Sequence, residues 1–329
     1  MTDVEVITGS RLHFGLLCGA TDSGWHYGGI GLMVDQPSWQ LRVTRSTQAA
    51  DSFDASEAVQ TRLKTLVAEF RRSHASLPPI HIAVTNEVHF HTGLGSGTQL
   101  TLAAATALLL LSGSPRPASI ADIAAILGRS RRSAVGTFGF DRGGFVVDHG
   151  KSASGDQLPI TRIAFPDEWR MVIVTPTQSV GMSGASEETF FGDERYLEAA
   201  VVTRFEKLIE SRIVPALQDA NFPDFRDAIA EYGNLVGGYY AAAQGGIYSS
   251  AEIRGLVDSM AEFNIPTPVQ SSWGPSVCIP ASSEEHAAEI VAHLQRYKAS
   301  QPLRINIARG LNVGATVRTA APEHQRSFG

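Results

Sequence analysis

The stretch His91-Thr92-Gly93-Leu94-Gly95-Ser96-Gly97-Thr98 decides how the rest of the chain is interpreted. Three glycines within residues 93–97 let the backbone reach positive φ and expose consecutive N–H groups. A β-type run at 80–84 precedes the stretch, and a run rich in Ala and Leu at 98–111 follows it. Because a helix begins with a partial positive charge, a strand, glycine loop and helix in this order suit a bound phosphate. A tight turn that needs glycine only for packing fits the same glycines.

Working outward from this loop, the hydrophobic pattern predicts an α+β protein with two domains. Short β-type runs dominate the first third, and helical periodicity dominates the second half without regular βαβ alternation. A chain of 329 residues also exceeds the usual size of one hydrophobic core. The predicted division is an N-terminal domain, 1–165, which holds the glycine loop, and a C-terminal domain, 166–329. The predicted strands are 4–7, 12–16, 39–43, 80–84, 171–174, 276–279 and 303–307, and the main predicted helices are 55–72, 98–111, 194–213, 225–240, 251–263 and 284–297.

Charge and composition exclude several classes of function. The chain has 33 acidic residues against 27 Lys and Arg, a net charge of -6, which argues against a nucleic-acid partner. Cys18 and Cys278 are too few for a disulfide framework or a zinc site. No secretory signal is visible, and the most apolar run, 100–111, is short of the about 20 residues that a spanning helix needs. We expect a cytoplasmic protein without membrane contact.

The densest cationic cluster is Arg129, Arg131 and Arg132, which precede Ser133. Guanidinium groups bind phosphate in bidentate fashion, so this cluster is a candidate phosphate or pyrophosphate site. A solvated run of surface charge fits the same residues. Arg11 and His13 alternate with Leu12 on a predicted strand, so both should lie on one face. That face is either the wall of a site or an ordinary solvent face.

The motifs resemble those of the GHMP kinases (galactokinase, homoserine kinase, mevalonate kinase and phosphomevalonate kinase). Residues 93–97 resemble the phosphate-binding Gly-Leu-Gly-Ser-Ser loop of those enzymes, and 270–278 stand where they carry a third glycine-rich motif before a Cys. Where those kinases carry Ser-Gly-hydrophobic-Asp, with a catalytic acid, this chain has Ser133-Ala134-Val135-Gly136. The resemblance therefore implies a two-domain GHMP kinase-like fold, but the acid for phosphoryl transfer is missing.

One branch of that superfamily has the same alterations: the β-ribofuranosylaminobenzene 5'-phosphate synthases of the methanopterin pathway. This resemblance implies condensation of phosphoribosyl pyrophosphate with 4-hydroxybenzoate or 4-aminobenzoate, with release of pyrophosphate and carbon dioxide. It also implies Mg²⁺ on the pyrophosphate and a homodimer as the assembly. The sequence does not choose between the two benzoates. The segments that carry the resemblance are 10–16, 28–31 with Asp35, 91–99, 128–136, 140–145 and 270–275.

The resemblance assigns roles to the candidate residues. Arg11 would hold the benzoate carboxylate beside His13, next to Asp35 and an expected turn at 28–31, while Arg131 would neutralise the phosphorylated sugar. Asp141 either binds magnesium or pairs with its neighbour Arg142, and Asp35 is a second magnesium candidate. The predicted catalytic residues are thus Arg11, His13 and Arg131, the weaker magnesium candidates are Asp35 and Asp141, and the predicted substrate-binding residues are His91, Gly93, Leu94, Gly95, Ser96, Gly97, Thr98, Arg129, Arg132, Ser133, Gln270, Ser271, Ser272 and Trp273.

Two rival functions remain at the level of sequence. An ATP-dependent small-molecule kinase predicts ATP turnover and an acid near Gly136. A non-catalytic sugar-phosphate sensor on the same fold predicts ligand binding without turnover.

Overall fold

The computed structural model describes residues 3–18, 26–74, 77–113, 120, 123, 133–152, 156–181, 197–260 and 265–320. The strands within these ranges are β1 Asp3–Cys18, β2 His26–Arg45, β3 Ser52–Asp54, β4 Ile80–Asn86, β5 Phe145–Asp148, β6 Ile160–Ile163, β7 Arg170–Pro176, β8 Val269–Gln270, β9 Val277–Ala281, β10 Leu303–Arg309 and β11 Thr316–Ala320. The helices are α1 Glu57–Ser73, α2 Ser96–Ser112, α3 Val135–Arg142, α4 Ala199–Leu208, α5 Val214–Gln218, α6 Phe222–Gln244, α7 Ala251–Met260 and α8 Glu284–Leu294, with a π-helical turn, Ile209–Ile213, between α4 and α5.

The strands form two sheets, which confirms the expected α+β class. The first follows the order β11-β1-β2-β4-β3, with β5 paired to β2 and β6 to β5, and the second follows β10-β7-β9-β8. Every pairing is antiparallel except that of β3 with β4. Strands before and after the expected boundary at 165/166 fall in different sheets, except that β11 returns to pair with β1. The boundary itself stays a prediction.

The long β1 and β2 strands form the wall on which the site is built. Arg11 lies opposite Met33 and His13 opposite Gly31, and register shifts interrupt the ladder at Thr8/Ser10 and His13/Gly15. Leu12 is fully buried on the other face, as alternation along a strand requires.

The expected turn at 28–31 is wrong, because these residues lie within β2. Gly31 pairs with both β1 and β5. A Cβ at Gly31 would lie 2.5 Å from the Leu12 carbonyl oxygen and 2.6 Å from Cγ1 of Val135. The glycine is therefore needed because two other segments approach the strand closely, and no reversal of the chain is involved.

Helix α2 is the central helix that the apolar run predicts. It begins after Gly95, which has φ 67°, and its Leu and Ala side chains are largely buried, with Leu102 and Leu108 fully so. It contacts β1, β2 and α3. This packing sets the start of α2, and with it the glycine loop, against the middle of β1.

Most of the other predicted elements are confirmed with shifted ends. Helix α1 agrees closely with the prediction 55–72, whereas the expected helix 194–213 ends as α4 at Leu208 and continues as the π-helical turn. Helix α3 was not predicted. None of the helices in the described ranges has both the length and the apolar character that crossing a membrane requires.

Candidate active site

The glycine loop, residues 93–97, presents backbone donors at the start of α2. The carbonyl oxygen of Gly95 accepts from the N–H of Thr98 and of Gln99, each at 3.1 Å. No hydrogen bond within the described residues uses the N–H groups of Gly95, Ser96 and Gly97. Orphan N–H groups at a helix start, together with the helix dipole, form a site that favours an anion.

The three glycines of this loop have different surroundings. A Cβ at Gly93 would overlap the Ser271 carbonyl oxygen, so this position is closed by packing. A Cβ at Gly95 would lie 3.1 Å from Nε of Arg11, and one at Gly97 would lie 2.8 Å from an Nη atom of Arg62. The loop is thus flanked by two guanidinium groups.

Arg62 was not predicted to belong to the site. Its guanidinium carbon lies 4.4 Å from the ring centroid of Phe90, and burial lowers its pKa from the ordinary value. It forms no salt bridge with a carboxylate of the described residues. An arginine at helical spacing on the charged face of α1 carries no sequence signal that separates it from its exposed neighbours.

Arg11 lies between the glycine loop and the start of α3. Its N–H donates to the Leu94 carbonyl oxygen at 3.0 Å, and its side chain passes Gly95. A Cβ at Gly136 would lie 3.4 Å from both Cδ and an Nη atom of Arg11. A cation therefore borders the position where the kinases that the sequence resembles would carry an acid.

His13 lies on the same side of β1 and is 3% exposed. Its Nε2 lies 3.1 Å from Oγ of Ser133. Burial, and secondly the charge of Arg11, hold the pKa of His13 well below its ordinary value of 6.5. The imidazole is therefore neutral near pH 7, where a buried cation beside an arginine would be unfavourable.

The loop 270–276 closes the site from the second sheet. The Ser271 hydroxyl accepts from the His13 N–H at 3.0 Å and donates to the Gly93 carbonyl oxygen at 2.8 Å. The Ser272 N–H donates to the His13 carbonyl oxygen at 2.6 Å. Gln270 donates to the carbonyl oxygen of Ser272 at 3.1 Å and accepts from the N–H of Ser249. These polar groups bind the scaffold and fix β1 against the glycine loop.

The other predicted substrate-binding residues have mixed positions. Trp273 is 5% exposed and packs edge-on against Tyr240, with ring centroids 4.5 Å apart, so little of its face is open to a ligand. His91 is exposed and has φ 59°, and its carbonyl oxygen accepts from the Gly181 N–H at 2.8 Å. Leu94 is buried, as is Ser96, while Thr98 is half-buried in the first turn of α2. Arg129, Arg131 and Arg132 lie outside the described residues.

The two magnesium candidates are engaged by the protein. Asp35 accepts from the Arg309 N–H at 2.8 Å, and the Asp141 carboxylate pairs with Nε of Arg142 at 2.7 Å. No group of three or more His, Cys, Asp or Glu in the described ranges could hold a metal ion. The described residues therefore contain no preformed carboxylate cluster for magnesium.

Two further buried polar residues complete the site. Gln99 is fully buried, accepts from the Thr8 hydroxyl at 2.7 Å and donates to the Gly136 carbonyl oxygen at 2.9 Å. Asp148 is 1% exposed and accepts from Ser133 Oγ at 3.1 Å. An isolated polar residue in an apolar helix or strand was the available signal for both. The structure thus brings together Arg11, His13, Ser133, the glycine loop and Ser271.

Comparison with known proteins agrees with this arrangement. Residues 61–142 match the family model of the GHMP kinases N terminal domain. The chain is 27% identical over 334 residues to a beta-ribofuranosylphenol 5'-phosphate synthase of Methanothermobacter thermautotrophicus, covering 95% of this chain and 98% of that protein. It is 28% identical over 262 residues to the Archaeoglobus fulgidus protein of that name, covering 72% and 81% of the two chains. The resemblance that the motifs indicate is thereby confirmed.

Solved structures establish the fold. A homoserine kinase from Cytophaga hutchinsonii superposes with a TM-score of 0.63 at 14% identity, covering 97% of this chain and 98% of that one. A mevalonate diphosphate decarboxylase from Staphylococcus aureus gives a TM-score of 0.65 at 15% identity, with coverage of 97% and 98%. The chain has the GHMP kinase fold.

Proposed function

We propose that this chain is a pentosyltransferase of tetrahydromethanopterin biosynthesis. It condenses phosphoribosyl pyrophosphate with 4-hydroxybenzoate or 4-aminobenzoate, releases pyrophosphate and carbon dioxide, and leaves a β-ribofuranosyl arene 5'-phosphate. The similarity to named synthases over 95% of the chain supports an enzyme of this type.

The observation that carries the proposal is the position of Arg11. Its guanidinium borders Gly95 on one side and Gly136 on the other. Phosphoryl transfer to a hydroxyl needs a group that accepts the hydroxyl proton, and neither glycine nor a guanidinium accepts one. A reaction between two anionic substrates instead needs cations and N–H donors at this position.

The loop and Arg11 divide that requirement between them. As the bond from the anomeric carbon to pyrophosphate breaks, negative charge grows on the leaving group, and N–H groups at the start of α2 stabilise it. Arg11 orients the benzoate carboxylate, so that the ring carbon bearing it faces the anomeric carbon. Attack opposite the leaving group gives the β product by inversion, and loss of carbon dioxide restores the aromatic ring.

Magnesium belongs to this proposal as the companion of the pyrophosphate. It would supply charge neutralisation at the leaving group. Because the described carboxylates are engaged elsewhere, we expect the ion to be bound through phosphate oxygens and water. A homodimer and a cytoplasmic location also remain predictions from the sequence.

The experiment combines purified protein with phosphoribosyl pyrophosphate, magnesium and each benzoate in turn, and measures carbon dioxide and pyrophosphate. We expect both products in equal amounts, only when both substrates are present. Conversion of ATP to ADP that a small alcohol stimulates would support the kinase instead. Ligand binding without either product would support the sensor.

A further inference from the structure

A row of three polar side chains, two of them buried and the middle one half-buried, leads away from the site into the protein. Nε2 of His13 lies 3.1 Å from Oγ of Ser133, which in turn donates to Oδ2 of Asp148 at 3.1 Å. His13 and Asp148 are 3% and 1% exposed. The three residues come from β1, from the segment before α3 and from the end of β5, so only the fold brings them together.

The hydrogen-bond inventory of Asp148 fixes the direction of this row. Its two oxygens receive four donors: the Ser133 hydroxyl, the N–H of Ala134 at 2.7 Å, the N–H of Gly150 at 3.0 Å and Nε2 of Gln157 at 2.9 Å. An ionised carboxylate only accepts, so the single hydrogen of the Ser133 hydroxyl points to Asp148.

Ser133 must therefore accept from its other neighbours. Its oxygen already receives the N–H of Val135 at 3.2 Å and has one lone pair left for His13. Nε2 of His13 then carries the hydrogen of that bond. In a neutral imidazole, the other nitrogen, Nδ1, has a lone pair and no hydrogen.

Nδ1 of His13 is not used by the described residues. This nitrogen makes no hydrogen bond with any group in the described ranges. Arg11 is close enough to act electrostatically on the ring, and burial together with that charge keeps the pKa of His13 low, so the imidazole stays neutral. The acceptor nitrogen thus belongs to a ring that lies close to Arg11.

We infer that Ser133 and Asp148 are positioning residues that hold His13 as the Nε2–H tautomer, so that Nδ1 accepts a hydrogen bond from the para hydroxyl or amine of the aromatic substrate. This inference rests on the proposed function and names the group that recognises its aromatic substrate. Both para groups donate, so this contact selects for a donor without choosing between oxygen and nitrogen.

The role is consistent with the bonding changes of the reaction. When the ring carbon bonds to the anomeric carbon, pyrophosphate leaves with the electron pair of the broken C–O bond and positive charge develops on the para hydroxyl. Nδ1 of His13 takes up the proton of that hydroxyl. The electron pair of the breaking bond to carbon dioxide then restores the ring, and the imidazolium returns the proton to the oxygen. No net proton is gained or lost.

Nuclear magnetic resonance of the protein labelled with ¹⁵N-histidine tests the tautomer directly. His13→Gln identifies the resonance by its loss. At about pH 7 we expect His13 of the parent to be neutral with its hydrogen on Nε2. The same holds for Ser133→Thr, which keeps a hydroxyl. Ser133→Ala should give a mixture of tautomers. An Nδ1–H tautomer or an imidazolium in the parent, or an unchanged tautomer in Ser133→Ala, would overturn the inference.

Titration with 4-hydroxybenzoate and unsubstituted benzoate tests the acceptor role. Only 4-hydroxybenzoate should move the Nδ1 resonance toward the hydrogen-bonded value, although calorimetry detects both ligands. Equal shifts with both, or binding without any shift, would overturn the inference and leave the proposed function intact. Failure of both benzoates to bind, with and without phosphoribosyl pyrophosphate, would overturn the proposed function and the acceptor role together.

Turnover separates a positioning role from a structural one. Ser133→Ala should lower kcat with 4-hydroxybenzoate by about 100-fold, the low end for loss of positioned proton transfer, without changing KM for phosphoribosyl pyrophosphate. Ser133→Thr should restore most of it. Equal kcat in the alanine and threonine variants would contradict the assignment.

Discussion

Two glycine-rich stretches of this chain, 28–31 and 93–97, have similar sequences and serve different purposes. In the first, Gly29 and Gly31 pair with strands on both sides, and added side chains would meet backbone oxygens of β1. In the second, the N–H groups of Gly95, Ser96 and Gly97 have no acceptor within the described residues, and the groups nearest to Gly95 and Gly97 are ends or stems of arginine side chains. Backbone hydrogen bonds, and not the glycines themselves, distinguish a ligand loop from close packing.

The largest expected effect comes from the first stretch. Gly31→Ala would bring a Cβ to 2.5 Å from the Leu12 carbonyl oxygen, and backbone there cannot move without breaking the β1–β2 ladder. We expect a loss of about 3 kcal/mol in the free energy of unfolding, the upper end for overpacking. Urea denaturation measures it.

Gly238→Ala in α6 is the matched control, because no atom in the described part of the chain lies within 4 Å of the added Cβ. We expect this variant to be at least as stable as the parent, since alanine favours a helix interior by about 0.5–1 kcal/mol over glycine. A Gly31→Ala protein as stable as Gly238→Ala would mean that β2 tolerates a side chain and that the account of 28–31 is wrong.

The second effect concerns Arg11, which borders only the second stretch. Loss of a charge-assisted contact costs about 1.5–3 kcal/mol, or roughly 10- to 100-fold in binding. Arg11→Ala should therefore raise KM for the benzoate by that factor while KM for phosphoribosyl pyrophosphate changes less. Steady-state kinetics with each substrate varied in turn measures both.

Arg42→Ala serves as the control for Arg11, because that side chain is 56% exposed and its salt bridges to Asp3 and Glu5, at 3.7 and 3.9 Å, lie on the surface of the first sheet. It should leave both KM values unchanged. If Arg11→Ala acts instead on phosphoribosyl pyrophosphate, Arg11 is a phosphate ligand and the division of roles in the site is wrong.

A structural feature could be predicted from the sequence where its cause lies within one segment of the chain. Helices α1 and α2 were predicted because their periodicity lies within one segment, and Arg11 and His13 were paired because alternation on one strand is local. Helix α3 was missed because Gly136 and Gly139 are poor helix formers. Gly139 is needed because Met33 of β2 packs on it, with Cγ 2.6 Å from an added Cβ, and this contact is not visible in the sequence.

The same distinction explains the site residues. Asp148 stands out in the sequence only as a polar residue that ends an apolar run, and its role could not be predicted, because its donors come from Ser133, Ala134, Gly150 and Gln157, which the fold assembles. Ser271 and Ser272 were predicted as substrate donors, and in the structure the Ser271 hydroxyl connects His13 to Gly93. A hydroxyl in a motif has the same sequence signature in either role.

A smaller effect, on folding stability, is expected when the pH is lowered. Burial and Arg11 lower the pKa of His13 below 6.5 in the folded protein, so the unfolded chain takes up a proton there first. The contribution of neutral His13 to the free energy of unfolding is therefore complete above pH 6.5 and is lost as the pH falls toward the lower pKa of the folded state.

Urea unfolding of the parent and His13→Gln between about pH 7.5 and about pH 5.5 isolates this contribution. The parent should lose more stability than the variant over that window. The pKa of His89 is also lowered, by burial and then by Arg304. Because His89 is present in both proteins, its contribution to the pH dependence cancels in the comparison. Parallel curves would mean that His13 is not held neutral.

The most direct test of the glycine loop as the ligand site uses the two ends of α2. Gly95 and Gly113 have nearly the same left-handed φ, 67° and 70°, so alanine at either costs about 1–2 kcal/mol of backbone strain. Gly113 lies at the other end of the helix, and no atom of the described residues comes within 4 Å of an added Cβ there. Calorimetry of phosphoribosyl pyrophosphate binding to Gly95→Ala and Gly113→Ala separates strain from function. We predict that Gly95→Ala weakens binding at least about 10-fold, one lost charge-assisted contact, while Gly113→Ala binds like the parent. Equal affinity in both variants would contradict the assignment of residues 93–97 as the ligand loop.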